Sequence, residues 1–262
     1  MVINPDADKQ VIEHVYADEI EPLLEKYLVQ FIEVAHRYTP WEIENCYFLK
    51  PIEKEEFAQL LTIQYLRTKE TRKRLDESSH CLTKVLEDMG VSEAERQKYE
   101  LSSERTKITH LHMLTDLDSL VQIAASFYSL TWVLLINKTK TRFYTSDSPI
   151  MTIHHVQTPV FSGTGLRSKG VEVFFPISPE CGLAMFDGEF HGIKHLDRRV
   201  LVCSENDVRR YNWIEAVHAE EMIISKDDNW KTVKEILVSE PGVFKRPRTA
   251  LTWGEKTYTP EN

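Results

Sequence analysis

Long apolar runs are missing from this chain. No stretch of its 262 residues approaches the ~20 apolar residues that a membrane-spanning helix needs. Its start, MVINPDADKQVIEHVY, carries acidic and polar side chains where a signal peptide has a basic and then an apolar region. Glycine and proline are scarce, at 9 and 11 residues, and no repeat period stands out, which argues against collagenous, solenoid and linker-rich architectures. We therefore expect a cytoplasmic protein that does not enter the membrane.

Paired cysteines are absent too. No two cysteines have the C-x-x-C spacing that zinc sites and redox motifs use, which leaves cofactor and metal unknown. His110 and His112 point to different sides of a helix and so make a poor metal clamp. Four separate cysteines in a cytoplasmic protein are expected to be buried free thiols: Cys46, Cys81, Cys181 and Cys203.

A basic charge balance is also lacking. The 41 acidic and 32 basic residues leave a formal charge of −9, which repels phosphate backbones and disfavours non-specific nucleic-acid binding. The basic stretches 67–74 and 245–248 are flanked by acids, a pattern typical of solvated surface. The partners left to consider are another protein or a small ligand.

The composition that is present suits a packed core, because 42% of the residues are hydrophobic. Residues 1–130 show helical spacing of apolar residues, residues 131–240 show short β-favouring runs and a later helix, and residues 241–262 form a tail. Helices first and strands second predict a single α+β domain: a helical N-terminal half packed on a mostly antiparallel sheet, with C-terminal helices.

Individual elements follow from the same patterns. We predict one long helix from Glu53 to Leu75 or beyond, and another from Glu104 to Leu130. Two β-favouring runs joined by a four-residue loop predict a hairpin of residues 132–136 and 141–145. Further strands are predicted at 151–155, 171–175, 181–186 and 199–203, with a helix at 207–223 and a strand end at 222–225. The stretch SGTGLRSKG, 162–170, lacks a phosphate-loop motif and predicts a plain inter-strand loop.

Four of these pieces together resemble the DUF4238 family, a domain of unknown function. Its sequences show a Q-x-x-R-T helix, an F-I-T-S-D-N-P strand end, a P-L-S-P strand and a helix with one Asn before a small residue. The matching stretches here are Gln64-Tyr-Leu-Arg-Thr68, Phe143-Tyr-Thr-Ser-Asp-Ser-Pro149, Pro176-Ile-Ser-Pro179 and Asn212 before Ala216. The resemblance extends over residues 18–226.

One family feature is not found. Such sequences often begin with H-x-x-P-x-x-Y-L, and nothing in residues 1–16 corresponds to it. The resemblance implies a compact intracellular domain of bacterial or mobile-element origin, such as a defence effector, and it brings no activity with it.

Polar residues on apolar helix faces define a candidate site. On a continuous helix, Gln64 would share the face of Phe57 and Leu61, with Arg67 at its margin. Buried polar groups need partners, and Asp147 is the natural acceptor for Arg67, with Glu21 as its rival. If these side chains converge with those of the neighbouring helices, the catalytic candidates are Asp147, Arg67 and His110, and the substrate-binding candidates are Gln64, Asn212, Ser146 and Ser178.

Structural roles explain the same residues equally well. Asp147 before Ser148-Pro149 is typical of an Asx turn that ends a strand, and the amides are typical of a packing network. Three functions therefore stay open. The first is an effector enzyme, hydrolytic and acting on a nucleotide or nucleic acid, in which Asp147 is a general base or metal ligand. The others are a non-catalytic partner-binding module and a small-ligand sensor.

Overall fold

Helices dominate the first half of the chain. The computed structural model describes residues 14–37, 46–156, 165–243, 249–253 and 256–260. A π-helical turn, Tyr16–Ile20, leads into the first helix. The α-helices of these residues are α1 (Glu21–Arg37), α2 (Pro51–Leu66), α3 (Lys69–Asp88), α4 (Glu93–Arg96), α5 (Ser103–Thr115), α6 (Leu117–Ser129), α7 (Glu205–His218) and α8 (Lys231–Ser239).

The strands lie in the second half. They are β1 (Thr131–Asn137), β2 (Thr145–Ser146), β3 (Met151–His154), β4 (Val171–Ser178), β5 (Cys181–Phe186), β6 (Arg199–Cys203), β7 (Ile223–Ile224), β8 (Leu251–Trp253) and β9 (Lys256–Tyr258). One five-stranded sheet has the order β3-β4-β5-β1-β6, and within it only the β1 and β6 pair is parallel. Two two-stranded pairs, β2 with β7 and β8 with β9, lie outside it. The fold is α+β, as predicted.

The sheet is buried on both faces. Every residue of β1 is buried, and side chains alternate between the faces of a strand. Trp132 and Leu134 belong to the core formed with the N-terminal helices. Val133 and Leu135 belong to a second core, which includes Tyr211 of α7. The sheet is therefore the middle of three layers, with the N-terminal helices on one side and α7 on the other.

A buried lysine joins α2 to the start of the sheet. Lys54 Nζ donates to the Leu130 carbonyl at 2.8 Å and to Asp197 Oδ1 at 2.7 Å. Asp197 Oδ1 also accepts the backbone N–H of Trp132 at 2.9 Å. Because the lysine is almost fully buried, burial lowers its pKa, and the pairing with Asp197 offsets part of the cost of burying the charge.

Two predicted long helices are each broken by a capping residue. Thr68 separates α2 from α3 and accepts the backbone N–H of Thr71, and Asp116 separates α5 from α6 and accepts that of Ser119. The predictions of continuous helices over 53–75 and 104–130 were therefore wrong. Side-chain oxygens at these positions satisfy the free N–H groups of a new helix better than they suit a helix interior.

The predicted hairpin of 132–136 with 141–145 was also wrong. β1 pairs with β5 and β6, while Thr145 and Ser146 pair with β7. The next strand, β3, pairs with β4 and with neither half of the predicted hairpin. The strands β4, β5, β6 and β7 lie where they were predicted. The predicted helix over 207–223 is also present as α7, but it ends at His218. A turn-like loop in the sequence predicts that the two strands beside it pair with each other. In the structure β1 is buried on both faces in the middle of the sheet, where its partners are strands distant in the sequence.

The remaining predictions concern loops, thiols and the tail. Residues 162–164 of the predicted loop lie outside the described residues. Cys81, Cys181 and Cys203 are buried free thiols as predicted, and Cys46 is a half-buried one. Part of the tail forms the β8–β9 hairpin, where Tyr258 packs on α3. None of the helices in the described part of the chain has the length and apolar character needed to cross a bilayer.

Gly182 provides a test of the packing between the sheet and α7. A Cβ at this position of β5 would lie 2.5 Å from the ring of Phe174, which is stacked on Tyr211 at 3.8 Å and cannot move aside. We expect Gly182→Ala to lower the free energy of unfolding by about 1–3 kcal/mol in urea denaturation. Gly165→Ala, with no heavy atom within 4 Å of the new Cβ, is the control. Equal stability of the two variants would show that this face is loosely packed.

Candidate functional site

Gln64 and Arg67 both contact the π-helical turn before α1. The Tyr16 hydroxyl donates to Gln64 Oε1 at 2.6 Å. The Arg67 guanidinium lies over the Tyr16 ring at 3.7 Å, and its Nη1 is 4.0 Å from the Glu21 carboxylate. Of the two acceptors considered for Arg67, the structure therefore pairs it with Glu21 and not with Asp147.

His110 caps the C-terminal end of α2. Its Nε2 donates to the carbonyl of Leu66, because a carbonyl oxygen can only accept. Burial lowers the pKa of His110, and the nearby charge of Arg72 lowers it further. A neutral imidazole held against a helix end satisfies a carbonyl that would otherwise lack a partner.

Asp147 holds the segment between α7 and β7. Its two carboxylate oxygens accept the backbone N–H groups of Glu220 at 3.1 Å and Glu221 at 3.0 Å. The predicted Asx turn of Asp147 is not formed, and an ST turn of Ser146, whose Oγ accepts the backbone N–H of Ser148 at 3.1 Å, takes its place. Asp147 thus fixes a distant part of the backbone and not its own turn.

Asn212 and Ser178 also bind backbone groups. Asn212 accepts the N–H of Tyr144 at 2.8 Å and donates to the carbonyl of Arg142 at 2.7 Å. Ser178 Oγ accepts the N–H groups of Glu180 and Cys181 in the turn between β4 and β5. Asn212 thus holds backbone between β1 and β2 that belongs to no strand, and Ser178 holds the turn between two paired strands.

The seven predicted residues therefore do not form one cluster. Gln64, Arg67 and His110 lie where the end of α2 meets the π-helical turn and α5. Ser146, Asp147 and Asn212 lie where α7 and the backbone after it meet residues 142–148. Ser178 lies in a separate turn. Across the described residues, no hydrogen bond or ion pair joins Asp147 to Arg67, Gln64 or Asn212. Each side chain is occupied by a bond within the fold.

Glu215, one turn after Asn212, is a buried acid. The residue is only 1% exposed, and among the described residues its carboxylate makes no hydrogen bond of ordinary geometry, although the Ser146 hydroxyl lies near it. Burial raises the pKa of Glu215 well above its ordinary value. The nearby Ser146 hydroxyl opposes this rise, while the charges of Glu70 and Asp147 add to it. Burial therefore favours the protonated, neutral form of Glu215.

A second buried acid, Glu172, is fully paired. Its carboxylate accepts two bonds from Arg210, at 2.8 and 2.6 Å, and one from the Tyr211 hydroxyl at 2.7 Å. His155 Nε2 lies 2.7 Å from Glu172 Oε2. We call these four residues the Glu172 cluster. It joins α7 to β4 and to the residue that follows β3.

Burial and pairing act in opposite directions on Glu172. Burial raises its pKa, but the hydrogen bonds and charge of Arg210, followed by the bonds from Tyr211 and His155, lower it below the ordinary value. Glu172 is thus ionised at neutral pH. A carboxylate only accepts hydrogen bonds, so the proton of the bond to His155 belongs to Nε2 of the imidazole.

The Glu172 cluster is open to solvent on one side. The side chain of Glu172 is 2% exposed, whereas those of His155 and Arg210 are 35% and 40% exposed. The ring of His191 lies edge-on to that of His155, with centroids 5.0 Å apart. A buried charge with reachable donors on its outer side is an arrangement found in catalytic and binding sites.

The described residues offer no ready metal site. Among them, no group of three or more His, Cys, Asp or Glu side chains is arranged to hold an ion. His191 and His195, spaced four residues apart, lie on either side of a turn and belong to no such group.

Comparison with protein families decides where the chain belongs. The model of the family described as Protein of unknown function (DUF4238) matches residues 3–229. The chain belongs to this family. The match is wider than the predicted 18–226 and includes most of the segment in which the H-x-x-P-x-x-Y-L motif was not found. Curated proteins and solved structures contain no match to this DUF4238 chain.

Sequence reasoning missed the Glu172 cluster of this DUF4238 protein, although one signal was present. In Val171-Glu-Val-Phe-Phe175 a single acid interrupts a buried strand, on the face that also carries Phe174. An acid in that position requires a cationic partner. What the sequence could not supply was the identity of that partner, since Arg210 is 38 residues away.

The role of Asp147 in the DUF4238 fold can be tested by removing its charge. Asp147→Asn replaces an acceptor for two backbone N–H groups with an amide whose NH₂ faces one of them, so we expect stability to fall by about 1–3 kcal/mol. Chemical denaturation measures this, with Asp118→Asn on the exposed side of α6 as the matched control. Unchanged stability would instead leave Asp147 free for a role in binding or catalysis.

Glu215 predicts a pH dependence of stability. Because its pKa is raised in the folded state, folding retains a proton that the unfolded chain releases above the ordinary value of 4.5. Stability is therefore lost as pH rises from that value toward the folded pKa. We expect Glu215→Gln to remove this loss, so that its advantage over the wild type in thermal unfolding grows with pH. Parallel pH profiles would mean that Glu215 ionises freely.

Proposed function

We propose that this DUF4238 chain is a hydrolytic enzyme whose reaction centre is the Glu172 cluster. The observation that carries the proposal is the imidazole of His155, which is bonded to an ionised buried carboxylate through one nitrogen and is partly exposed. A carboxylate that orients a histidine is a recurring device for general base catalysis. The predicted polar site at the junction of helices and sheet is thereby moved from Asp147 to Glu172.

The bond to Glu172 determines which nitrogen of His155 is the base. Nε2 donates to the carboxylate, so in the neutral ring Nδ1 carries the lone pair. No described residue bonds to Nδ1. Glu172 also stabilises the imidazolium that forms when Nδ1 accepts a proton, because the positive charge appears next to a fixed negative one.

Arg210 provides positive charge beside this base. It gives two hydrogen bonds to Glu172, whereas a guanidinium has five N–H donors in all. The donors left over, on a side chain that is 40% exposed, can reach an anion in solvent. The charge that develops on a phosphoryl or acyl oxygen during hydrolysis is the kind of charge that such a group stabilises.

These groups can together carry out the hydrolysis of a phosphoester bond in a nucleotide or nucleic acid in one step. His155 Nδ1 takes a proton from water, and the water oxygen forms a bond to phosphorus. The bond from phosphorus to the leaving oxygen breaks, and that oxygen takes the proton back from the imidazolium. Arg210 compensates the negative charge on the other phosphoryl oxygens throughout.

His155 is the residue whose loss tests the proposal. The wild type is incubated with nucleoside mono- and triphosphates and with single-stranded RNA, and hydrolysis products are separated by chromatography. We expect His155→Gln to lower kcat by about 100- to 10,000-fold, the usual contribution of a general base. The melting temperature of the variant should stay close to that of the wild type, since Glu172 keeps three other hydrogen bonds.

His195→Gln is the matched control, because this histidine is exposed in the turn before β6. Its turnover should equal that of the wild type. Equal turnover of the His155 variant, or no turnover of any of these substrates by the wild type, would contradict the proposal.

A non-catalytic partner-binding module is the second candidate. It is favoured by the bonds of Asp147, Asn212 and Gln64, all of which hold other parts of the same chain. Under this hypothesis the Glu172 cluster is a further structural network. Loss of stability in Asp147→Asn, together with absence of turnover in the wild type, would support it.

A further inference from the structure

We infer that the loop carrying Phe190 and His191 is a stacking platform for a planar ring, so that the Glu172 cluster takes an aromatic anion such as a nucleotide. The inference rests on the proposed function and narrows its substrate class to free nucleotides. It uses three observations: a series of aromatic rings, a loop under them that is held by hydrogen bonds, and a cation bonded to the same carboxylate as the ring at the inner end.

The rings form a continuous edge-on series. His191 lies between Phe190, at 4.9 Å, and His155, at 5.0 Å, and it also contacts Phe186 at 5.5 Å. All these pairs are edge-on. His191 and Phe186 are half-buried, whereas Phe190 is 41% exposed. A partly exposed aromatic ring next to a site is the surface on which nucleobases stack.

The loop under the rings is held in place. Asp187 accepts the backbone N–H of Phe190 at 3.2 Å and that of Gly170 at 3.0 Å, which joins two loops. Gly170 has φ +72°, and a Cβ there would lie 3.0 Å from the Phe190 ring. Phe190 therefore rests on glycine backbone, and its position costs little further entropy when a ligand binds.

The cation lies at the other end of the series. Arg210 and His155 both bond to Glu172, and the ring of His191 contacts both His155 and Phe190. A substrate that contacts both ends of the series has a flat ring at one end and an anion at the other, joined by a linker. A nucleotide has this form, with the sugar as the linker.

An exposed phenylalanine is by itself an ordinary surface feature. What distinguishes Phe190 is that the ring of His191 connects it to the imidazole of His155, the proposed general base. The charge of the whole chain, −9, opposes binding of long polyanions. A single nucleotide carries little charge and meets a local cation, so the inference favours free nucleotides over nucleic acid.

Two ligands that differ only by the base test the inference. Isothermal titration calorimetry on the full chain compares AMP with ribose 5-phosphate. We expect AMP to bind about 5- to 150-fold more tightly, the range that stacking of one base provides. Phe190→Ala should bring AMP to the affinity of ribose 5-phosphate and leave ribose 5-phosphate unchanged, while Phe190→Trp should keep the difference.

Tyr99→Ala, which removes an exposed aromatic ring elsewhere, is the control and should change neither affinity. Equal affinities of the wild type for both ligands, or no binding of either, would overturn the inference. An equal loss for both ligands in Phe190→Ala would overturn it too, since it would indicate a structural role. If His155→Gln abolishes turnover while AMP and ribose 5-phosphate bind the wild type equally well, the nucleobase is not recognised. The proposed function then stands with another substrate class.

Discussion

Glu172 places a carboxylate on a face of the sheet that is otherwise lined by Val133, Leu135 and Phe174. An ion in such surroundings costs several kcal/mol unless it is paired and hydrogen-bonded. Arg210 and Tyr211 provide three of the four bonds and His155 the fourth. Because consecutive residues of α7 must reach one carboxylate, this requirement sets the rotation and position of that helix on the sheet.

The rotation of α7 decides the environment of its other polar residues. With Tyr211 on the sheet, the adjacent Asn212 faces the backbone of 142–144, which has no strand partner of its own. Glu215, one turn after Asn212, lies near Ser146 and near the acids Glu70 and Asp147, and its burial together with their charges raises its pKa. Asp147 then fixes the chain that leaves α7. The same placement of α7 therefore forms both the Glu172 cluster and the structural bonds of Asn212 and Asp147. The two differ in that the Glu172 cluster has side chains, His155 and Arg210, that solvent can reach.

The sequence predicted those elements whose signals are local. Apolar periodicity located the helical half, and β-favouring runs located β4, β5 and β6. The prediction of helix boundaries failed where a polar residue fits either a helix interior or an N-cap. Thr68 and Asp116 were assigned to helix interiors, whereas they cap new helices. The hairpin failed because strand pairing depends on which faces are buried, and β1 is buried on both.

The α+β order of elements can be read from the amino-acid sequence, and so can the presence of polar residues at positions that require partners. Gln64, Arg67, Asp147 and Asn212 were recognised as such, and each has a partner. The identity of those partners depends on how the helices pack on the sheet. Period and propensity act over a few residues, whereas the bonds of Glu172 to Arg210 and of Asp147 to Glu221 join residues 38 and 74 positions apart. Packing of a helix on a sheet brings such groups together, and no local pattern encodes it.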